Sequence, residues 1–288
     1  MSDFIQKKII NEQTRVKVKS LKQELKSLGS VAVAFSGGID SSFLLRIASD
    51  VLGNRVLAVT IKSPSIPEKE LQRAINFTRE FNIKHIVAES HELDNPDFIK
   101  NDRLRCYYCK KEEFGIISEL AKKNNIAFLA DGQNYDDNDD YRPGSIAASE
   151  LAVLSPLKNN NLSKAEIRFL SKEMGLHDWD RPALACLSSR IQYGTEISES
   201  LLKKIDHLEN FLTDLGFRQV RVRHHNEIAR IEIAKEDFSM LFEKDLMRKI
   251  ISEFKRNGYC YVTLDLEGYS TGSLNKVLKK LNGETQED

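Results

Sequence analysis

Cysteine is scarce in this chain: four in 288 residues, too few for a disulfide scaffold. Net charge is absent as well. Forty-three basic and forty-three acidic side chains cancel, and broad nucleic-acid binding needs a positive field that a balanced chain lacks. No uninterrupted apolar run is long enough to span a bilayer, which excludes a transmembrane helix, and no membrane partner is expected. The segment from Met1 to Lys26 has neither the apolar centre nor the small-residue cleavage site of a signal peptide, so a cytoplasmic location is expected. What the chain does have is 41% apolar and 30% charged residues. That composition supports a buried core under a charged surface, in one large domain or two modest ones.

Apolar periodicity reads as a lead-in helix that stops at Gly29. Val31-Ala32-Val33-Ala34-Phe35 follows, a wholly apolar run of the kind found in buried parallel strands. Further strands are expected at 55–61, 83–88 and 126–130. Helices are expected at 43–52, from Pro67 to about Phe81, and at 110–124. This alternation predicts a parallel sheet with right-handed crossovers. Ser163-Lys164-Ala165-Glu166 fits a capping box, opening a helix that ends near Gly175. Beyond Gly194 the rhythm changes. A helix at 198–215, antiparallel strands at 218–223 and 228–233, a helix at 235–256 and a strand at 259–266 make a smaller α+β unit. The expected division is an α/β domain over 1–194 and an α+β domain over 195–288.

The loop after the first strand, Ser36-Gly37-Gly38-Ile39-Asp40-Ser41-Ser42, carries the sharpest signal. Gly37 and Gly38 have no Cβ, so the backbone can approach an anion closely. The helix that follows offers unpaired N–H groups and a favourable dipole to a phosphate. Ser36, Ser41 and Ser42 add hydroxyl donors. Asp40 is negative beside the expected phosphates, which is sensible if Mg²⁺ or water lies between them. No Lys ends the loop, so it is not a Walker A motif. S-G-G-x-D-S after a buried strand resembles the PP-loop of the ATP pyrophosphatase superfamily. The resemblance implies cleavage of ATP between the α- and β-phosphates and formation of an adenylate.

Asp131 to Gly144 is a polar stretch dense in aspartate at the end of the fourth strand, where ligands of open α/β sheets bind. Gly132 would let the backbone approach the nucleotide. The carboxylates could hold Mg²⁺ or organise Arg142, with Asp136 and Asp140 on one face of a turn. The stretch could equally be a solvated acidic loop. Together with Arg181-Pro182-Ala183-Leu184-Ala185-Cys186-Leu187-Ser188-Ser189-Arg190-Ile191-Gln192-Tyr193-Gly194, with Val220 to Asn226 and Ile228 to Glu232, and with Tyr261 to Tyr269, it closely resembles the LarE family. These are PP-loop sulfur transferases of nickel-pincer nucleotide biosynthesis. The matches run from Val31 to about Asn275. Gln192 stands where the family usually has Pro, and Ser270 where some members have Arg.

The resemblance implies a small nucleotide substrate, pyridinium-3,5-biscarboxylic acid mononucleotide or a relative. Its carboxylate is adenylylated and sulfur then replaces AMP. Family members with one cysteine sacrifice its sulfur. Members with an added C-x-x-C resemble enzymes whose three cysteines hold a 4Fe-4S cluster with a sulfide on the open iron. This chain has Cys106, Cys109 and Cys186, so ATP, Mg²⁺ and a 4Fe-4S cluster are the expected cofactors. The sulfide donor is not named by the sequence. Asp40 and Cys186 are the expected catalytic residues, and Ser36, Gly37, Gly38, Asp40, Ser41, Ser42 and Gly132 the expected ATP site. A structural zinc site using Cys186 and a histidine, or a redox disulfide, stays open for the C-x-x-C pair. Cys260 reads as a core residue.

Arg190, Arg221 and Arg223 are candidates for the substrate's phosphate and carboxylate, because guanidinium forks match both. Arg221 and Arg223 fall on one face of an alternating strand. Glu209 reads equally as a surface or a substrate residue, His224 and His225 as hydrogen-bonded or surface residues, and Trp179 as packing. The second functional reading is an iron-sulfur tRNA thiolase, and the third an inactive nucleotide-binding module. Zero net charge and the lack of a recognisable RNA-binding domain argue against a nucleic-acid partner. An amidotransferase-type synthetase is disfavoured because no glutaminase segment precedes the loop. The family resemblance implies a homo-oligomer, a hexamer.

Overall fold

The computed structural model describes residues 2–139, 143–181 and 186–270, with the backbone alone for 2–11 and 138–139. In chain order the elements are α1 (Ser2–Leu28), β1 (Val31–Ala34), α2 (Ile39–Leu52), β2 (Val56–Lys62), α3 (Glu68–Glu80), β3 (His85–Glu89), α4 (Pro96–Ile99) and α5 (Arg105–Lys123). Then come β4 (Leu129–Ala130), α6 (Pro143–Glu150), α7 (Pro156–Asn159), α8 (Lys164–Glu173), α9 (Glu199–Asp214), β5 (Val220–His225), β6 (Ile228–Ile233), α10 (Lys244–Arg256) and β7 (Tyr261–Leu264). Among the described residues no helix is long and apolar enough to cross a membrane.

The chain divides into two compact units, Met1–Glu92 with Leu104–Leu184, and Leu93–Arg103 with Ala185–Asp288. The expected boundary at Gly194 differs from this division, and hydrogen bonds explain why. The Gly194 N–H donates to Asn101 O, and the Ile197 N–H to Ile99 O. The buried Asn101 amide reaches the carbonyls of Gln192 and Thr195 at 2.8 and 3.0 Å. A short excursion of the chain is thus stitched to residues just before and after Gly194, a long-range pairing that composition cannot reveal.

In the first unit the strands run in the order β3-β2-β1-β4, all parallel. This is the α/β fold expected from the alternation of strands and helices. β1 and most of β2 are buried, which their unbroken apolar runs require. Helices cover both faces: α1, α2 and α8 pack in one core with Val31, Val33 and Phe35, and α5 in another with Ala32, Leu57 and Val59. Trp179 lies against the first of these cores, with the Lys172 ammonium over its ring. β1 lies between β2 and β4, so the chain leaves its C-terminal end at a switch point of the sheet. The Ser163 capping box forms as expected.

α5 starts earlier than the expected Lys110. Its N-cap, Leu104, has no capping side chain, so the sequence carries no start signal there, and Cys106 and Cys109 fall inside the helix.

The second unit is a three-stranded sheet, order β5-β6-β7, antiparallel then parallel. The β5–β6 turn uses Asn226 at φ 54°, a left-handed conformation that Asn tolerates. α9 and α10 cover one face, burying Leu208, Leu212, Ile250 and Phe254 against Val222 and Ile231. The helix expected over 235–256 is broken at Glu243, with a 3₁₀ segment Lys235–Phe242 before α10. Cys260 is exposed, which corrects its reading as core. Tyr259 takes the inward position and Cys260 and Tyr261 point outward.

Candidate functional site

The glycine-serine loop joins β1 to α2. Gly37 adopts φ 74°, and an added Cβ would lie 3.4 Å from Ala74 of α3. Gly38 is the N-cap of α2 in extended conformation and offers no side-chain cap. The Ser41 hydroxyl bonds to Gly38 O at 3.0 Å and lies 3.2 Å from the Ser36 hydroxyl. Ser42 N–H donates to Gly38 O at 2.9 Å. The loop is therefore shaped by its own serines, and the first turn of α2 is left for an anion.

Asp40 stands in that first turn. Burial raises its carboxyl above the usual range, Asp137 adds to the rise, and Lys164 opposes it. Oδ2 accepts from the Lys164 ammonium; Oδ1 is buried and makes no close hydrogen bond, while the nearby Asn134 side chain also works against the rise in pKa. A buried carboxylate oxygen lacking a close donor fits a cation such as Mg²⁺ beside phosphates.

The acidic stretch folds around this corner. Asn134 Oδ1 accepts from Asp136 N–H, and Asp137 Oδ2 from Asn134 N–H, both at 2.9 Å. Asp136 Oδ2 accepts from the Lys164 backbone N–H at 2.8 Å. A Cβ on Gly132 would lie 2.9 Å from Ser41 N and 3.1 Å from Ser41 Cα. Gly132, expected to admit the nucleotide, here admits the backbone of the phosphate loop. Asp131 is buried and its carboxyl is raised by that burial, with Ser155 and Gln133 donating to Oδ1. Asp140 and Arg142 lie outside the described residues.

Cys106 and Cys109 lie one turn apart at the start of α5, both half-buried. Arg105 Nη2 stands 3.8 Å from Cys106 Sγ. Burial works against the Lys110 charge, but Glu113, Cys109 and Asp131 together raise its pKa. Gly144 lets α6 close on this turn, since its Cβ would meet Lys110 Cγ at 2.9 Å. Cys186 belongs to the second unit. It caps a 3₁₀ turn, Leu187–Arg190, and its carbonyl accepts from Arg190 Nη1 at 3.0 Å. Among the described residues no group of three or more His, Cys, Asp or Glu side chains could hold a metal ion. The expected 4Fe-4S centre is not shown.

The three candidate arginines are all buried. Arg190 makes a two-pronged pair with Glu209, at 2.9 and 3.0 Å. Glu209 also accepts the Val222 N–H at 2.9 Å and is only 12% exposed, which corrects its surface reading. Arg223 pairs the same way with Glu232, at 2.9 and 2.8 Å, and donates to Ser189 O. Arg221 donates to Val220 O and lies over the Tyr269 ring, 5.2 Å from its centroid. Burial, followed by Arg190, pushes its pKa down, and Glu209 and Tyr269 offset this only in part. His224 bonds to Tyr259 and His225 to Gln192, both at 3.0 Å.

Sequence reasoning assigned no role to Lys164 or Glu232. Lys164 was hidden inside a capping box, where its neighbours carried the signal. Glu232 sits directly beside Arg223 only through the antiparallel register that places Arg221 opposite it.

A family model for NAD synthase matches residues 13–102, which include the phosphate loop. A phosphate-loop domain of this type marks an ATP-using enzyme. An uncharacterized protein of Synechocystis sp. is 40% identical over 264 residues, 92% of this chain and 98% of its own. An uncharacterized protein of Methanocaldococcus jannaschii is 34% identical over 255 residues, 88% of this chain and 96% of its own. A relative from Lactiplantibacillus plantarum, pyridinium-3,5-bisthiocarboxylic acid mononucleotide synthase, is 37% identical over 261 residues, 89% of this chain and 92% of its own. With that identity along most of both chains, and with the glycine-serine loop set at the switch point of a parallel sheet, the chain belongs to the LarE family of PP-loop enzymes.

Proposed function

We propose that this chain is an ATP-dependent sulfur transferase acting on pyridinium-3,5-biscarboxylic acid mononucleotide or a relative. One substrate carboxylate oxygen attacks the α-phosphorus of ATP and pyrophosphate leaves. A sulfur nucleophile then attacks the acyl carbon, AMP departs, and a thiocarboxylate remains. The observation that carries the reading is the near full-length identity with a synthase whose named product carries two thiocarboxylates.

Each part of the chain has a role in this scheme. The loop from Ser36 to Ser42 receives the phosphates on the first turn of α2. Asp40, with its unsatisfied Oδ1, would hold Mg²⁺. Arg221, buried beside two other guanidiniums, binds an anionic group of the acceptor, while Arg190 and Arg223 hold the surrounding frame. Cys106, Cys109 and Cys186 would hold a 4Fe-4S cluster. When bound, it would supply sulfide catalytically, where a sacrificed Cys186 would supply one sulfur per chain. The half-buried thiols and the cations at Arg105 and Lys110 suit such ligands. Enzyme action in the cytoplasm as a homo-oligomer, with no nucleic-acid partner, completes the proposal.

Anaerobically purified protein, analysed for iron and sulfide and supplied with ATP, the pyridinium substrate and sulfide, tests it. The expected products are AMP, pyrophosphate and thiocarboxylate over many turnovers. Loss of H₂S mass from Cys186 in a fully active, iron-free sample would replace the cluster reading with the sacrificial one. Pyrophosphate release only with tRNA would favour a tRNA thiolase.

A further inference from the structure

Phe35 is the last residue before the phosphate loop. Its N–H donates to Val59 O at 2.8 Å and continues the β1–β2 ladder. Its carbonyl meets a side chain instead: the Thr60 hydroxyl donates to Phe35 O at 2.7 Å. A peptide unit is planar, so fixing this carbonyl also fixes the direction of the Ser36 N–H, the first donor of the loop.

Thr60 is held in turn by His85, the first residue of β3. His85 Nε2 lies 2.8 Å from Thr60 Oγ1, and Nδ1 lies 2.9 Å from Thr78 Oγ1 on α3. A hydroxyl has one proton to donate, and Thr60 gives it to Phe35. Nε2 therefore carries a hydrogen and donates to Thr60. In the neutral ring Nδ1 then accepts from Thr78. Burial lowers the imidazole's pKa and favours that neutral form.

The two arms of His85 reach both walls of Gly37. Through Thr60 the ring meets the strand end that leads into the loop. Through Thr78, whose hydroxyl also lies 3.1 Å from Ala74 O, it meets the turn of α3 against which Gly37 packs. The sheet itself does not need these contacts. β2 and β3 are joined along their backbones from Ala58–His85 to Lys62–Glu89. Thr60 and Thr78 are both buried, so each hydroxyl must find its partners inside the protein.

We propose that His85 is a positioning residue for ATP, whose Nε2–H holds Thr60 on Phe35 O and so sets the entry of the phosphate loop. The proposal rests on the ATP-using reading and deepens it. In this role His85 acts through Thr60 and Phe35 and not on the nucleotide. It keeps the loop's backbone donors in place before phosphate arrives, so that binding does not have to order them.

Titration calorimetry of the full-length chain with Mg·ATP and with pyrophosphate, beside denaturant midpoints of the same variants, tests this. His85→Gln puts an amide nitrogen near the position of Nε2 and can still donate to Thr60. His85→Asn reaches only the position of Nδ1. The Gln variant should bind both ligands as wild type does. The Asn variant and His85→Leu should bind them roughly 3–10-fold more weakly, the weight of one neutral hydrogen bond. Stability should not follow this order. Gln loses the Thr78 arm and Asn the Thr60 arm, so their midpoints should be alike while their ATP affinities differ. In a Thr60→Val background, which already frees the Phe35 carbonyl, His85→Leu should weaken ATP little further. If His85→Leu does not fold, the Gln and Asn variants carry the readout. Equal ATP affinity in those two, unchanged ATP binding in His85→Leu, or additive losses in the double variant would overturn the proposal. Wild-type protein that binds no ATP would overturn the ATP-using reading itself, and the proposal with it.

Discussion

Buried charge is held differently in the arginine pairs of the second unit and around the phosphate loop of the first. In the second, Arg190 and Arg223 each have a carboxylate fitted to them by two hydrogen bonds. In the first, Asp40 is held on one oxygen and unsatisfied on the other, and Glu70 gives one oxygen to both Arg73 and Arg181 while Oε2 has no partner. A saturated pair gains nothing from a ligand and loses much if broken. An unsaturated group costs stability alone and repays that cost when a ligand arrives. On this contrast the arginine-glutamate pairs are framework, and the phosphate loop is where binding chemistry has been left undone. Arg221 departs from that pattern, because burial and Arg190 push its charge down.

The sharpest way to break the contrast is to remove charge from a saturated pair. Glu232 is fully buried and also receives Arg230 at 3.1 Å. Glu232→Gln keeps the shape and removes the negative charge that faces two guanidiniums. Breaking such a pair costs about 3–5 kcal/mol, so the denaturation midpoint should fall steeply. Replacing Arg223 and Glu232 together by Met and Leu should recover much of that. A loss in Glu232→Gln no larger than that of an exposed pair would show that the second unit is not held this way.

Next comes a steric test in the first unit. Gly132→Ala puts a methyl 2.9 Å from the Ser41 nitrogen. The obstacle is backbone at the start of α2, which cannot turn aside as a side chain can. Overpacking of this kind costs roughly 1–3 kcal/mol, and the strain falls on the loop itself. ATP binding by calorimetry should drop more than thermal stability does. Unchanged ATP affinity would mean that the loop does not need Gly132 at this distance.

Much of this was legible in the sequence. The apolar run Val31–Phe35 and the S-G-G-I-D-S loop dictate a strand, a phosphate cradle and a helix in that order, because each follows from local chemistry. The capping box at Ser163 and the antiparallel pair at 218–233 were equally local. What stayed hidden was long-range. Nothing local tells that Lys164 reaches Asp40, that Glu209 and Glu232 neutralise Arg190 and Arg223, or that 93–103 joins the second unit through Asn101. The start of α5 was missed for a different reason: Leu104 is not a capping residue, so the helix is set by packing against α6 at Gly144.

A smaller effect separates Arg221 from its neighbours. Its charge is disfavoured where it lies, so Arg221→Met should change stability by less than about 1 kcal/mol, within the range of ordinary substitutions. Arg190→Met strands Glu209, which is only 12% exposed, and should cost more. The Arg221 variant should nonetheless lose affinity for the pyridinium acceptor while keeping that for ATP. A large loss of stability in Arg221→Met would place it with the framework pairs.

The least effect concerns pH and Asp40. Its folded-state pKa lies above the ordinary 3.8, chiefly because burial disfavours the ionised form. At pH values between the two, the folded state therefore holds more protons at this site than the unfolded state. The linkage relation then makes stability fall as pH rises through that window. Asp40→Asn has no such titration. Relative to wild type, the variant should look more stable at pH 7 than at pH 4, by less than about 1 kcal/mol because the carboxyl is partly solvated. Denaturant midpoints of both proteins across that range give the comparison. A difference of the opposite sign would mean that Lys164 outweighs burial and that Asp40 is a satisfied carboxylate after all. The contrast between the two units would then fail at the residue on which the phosphate loop depends.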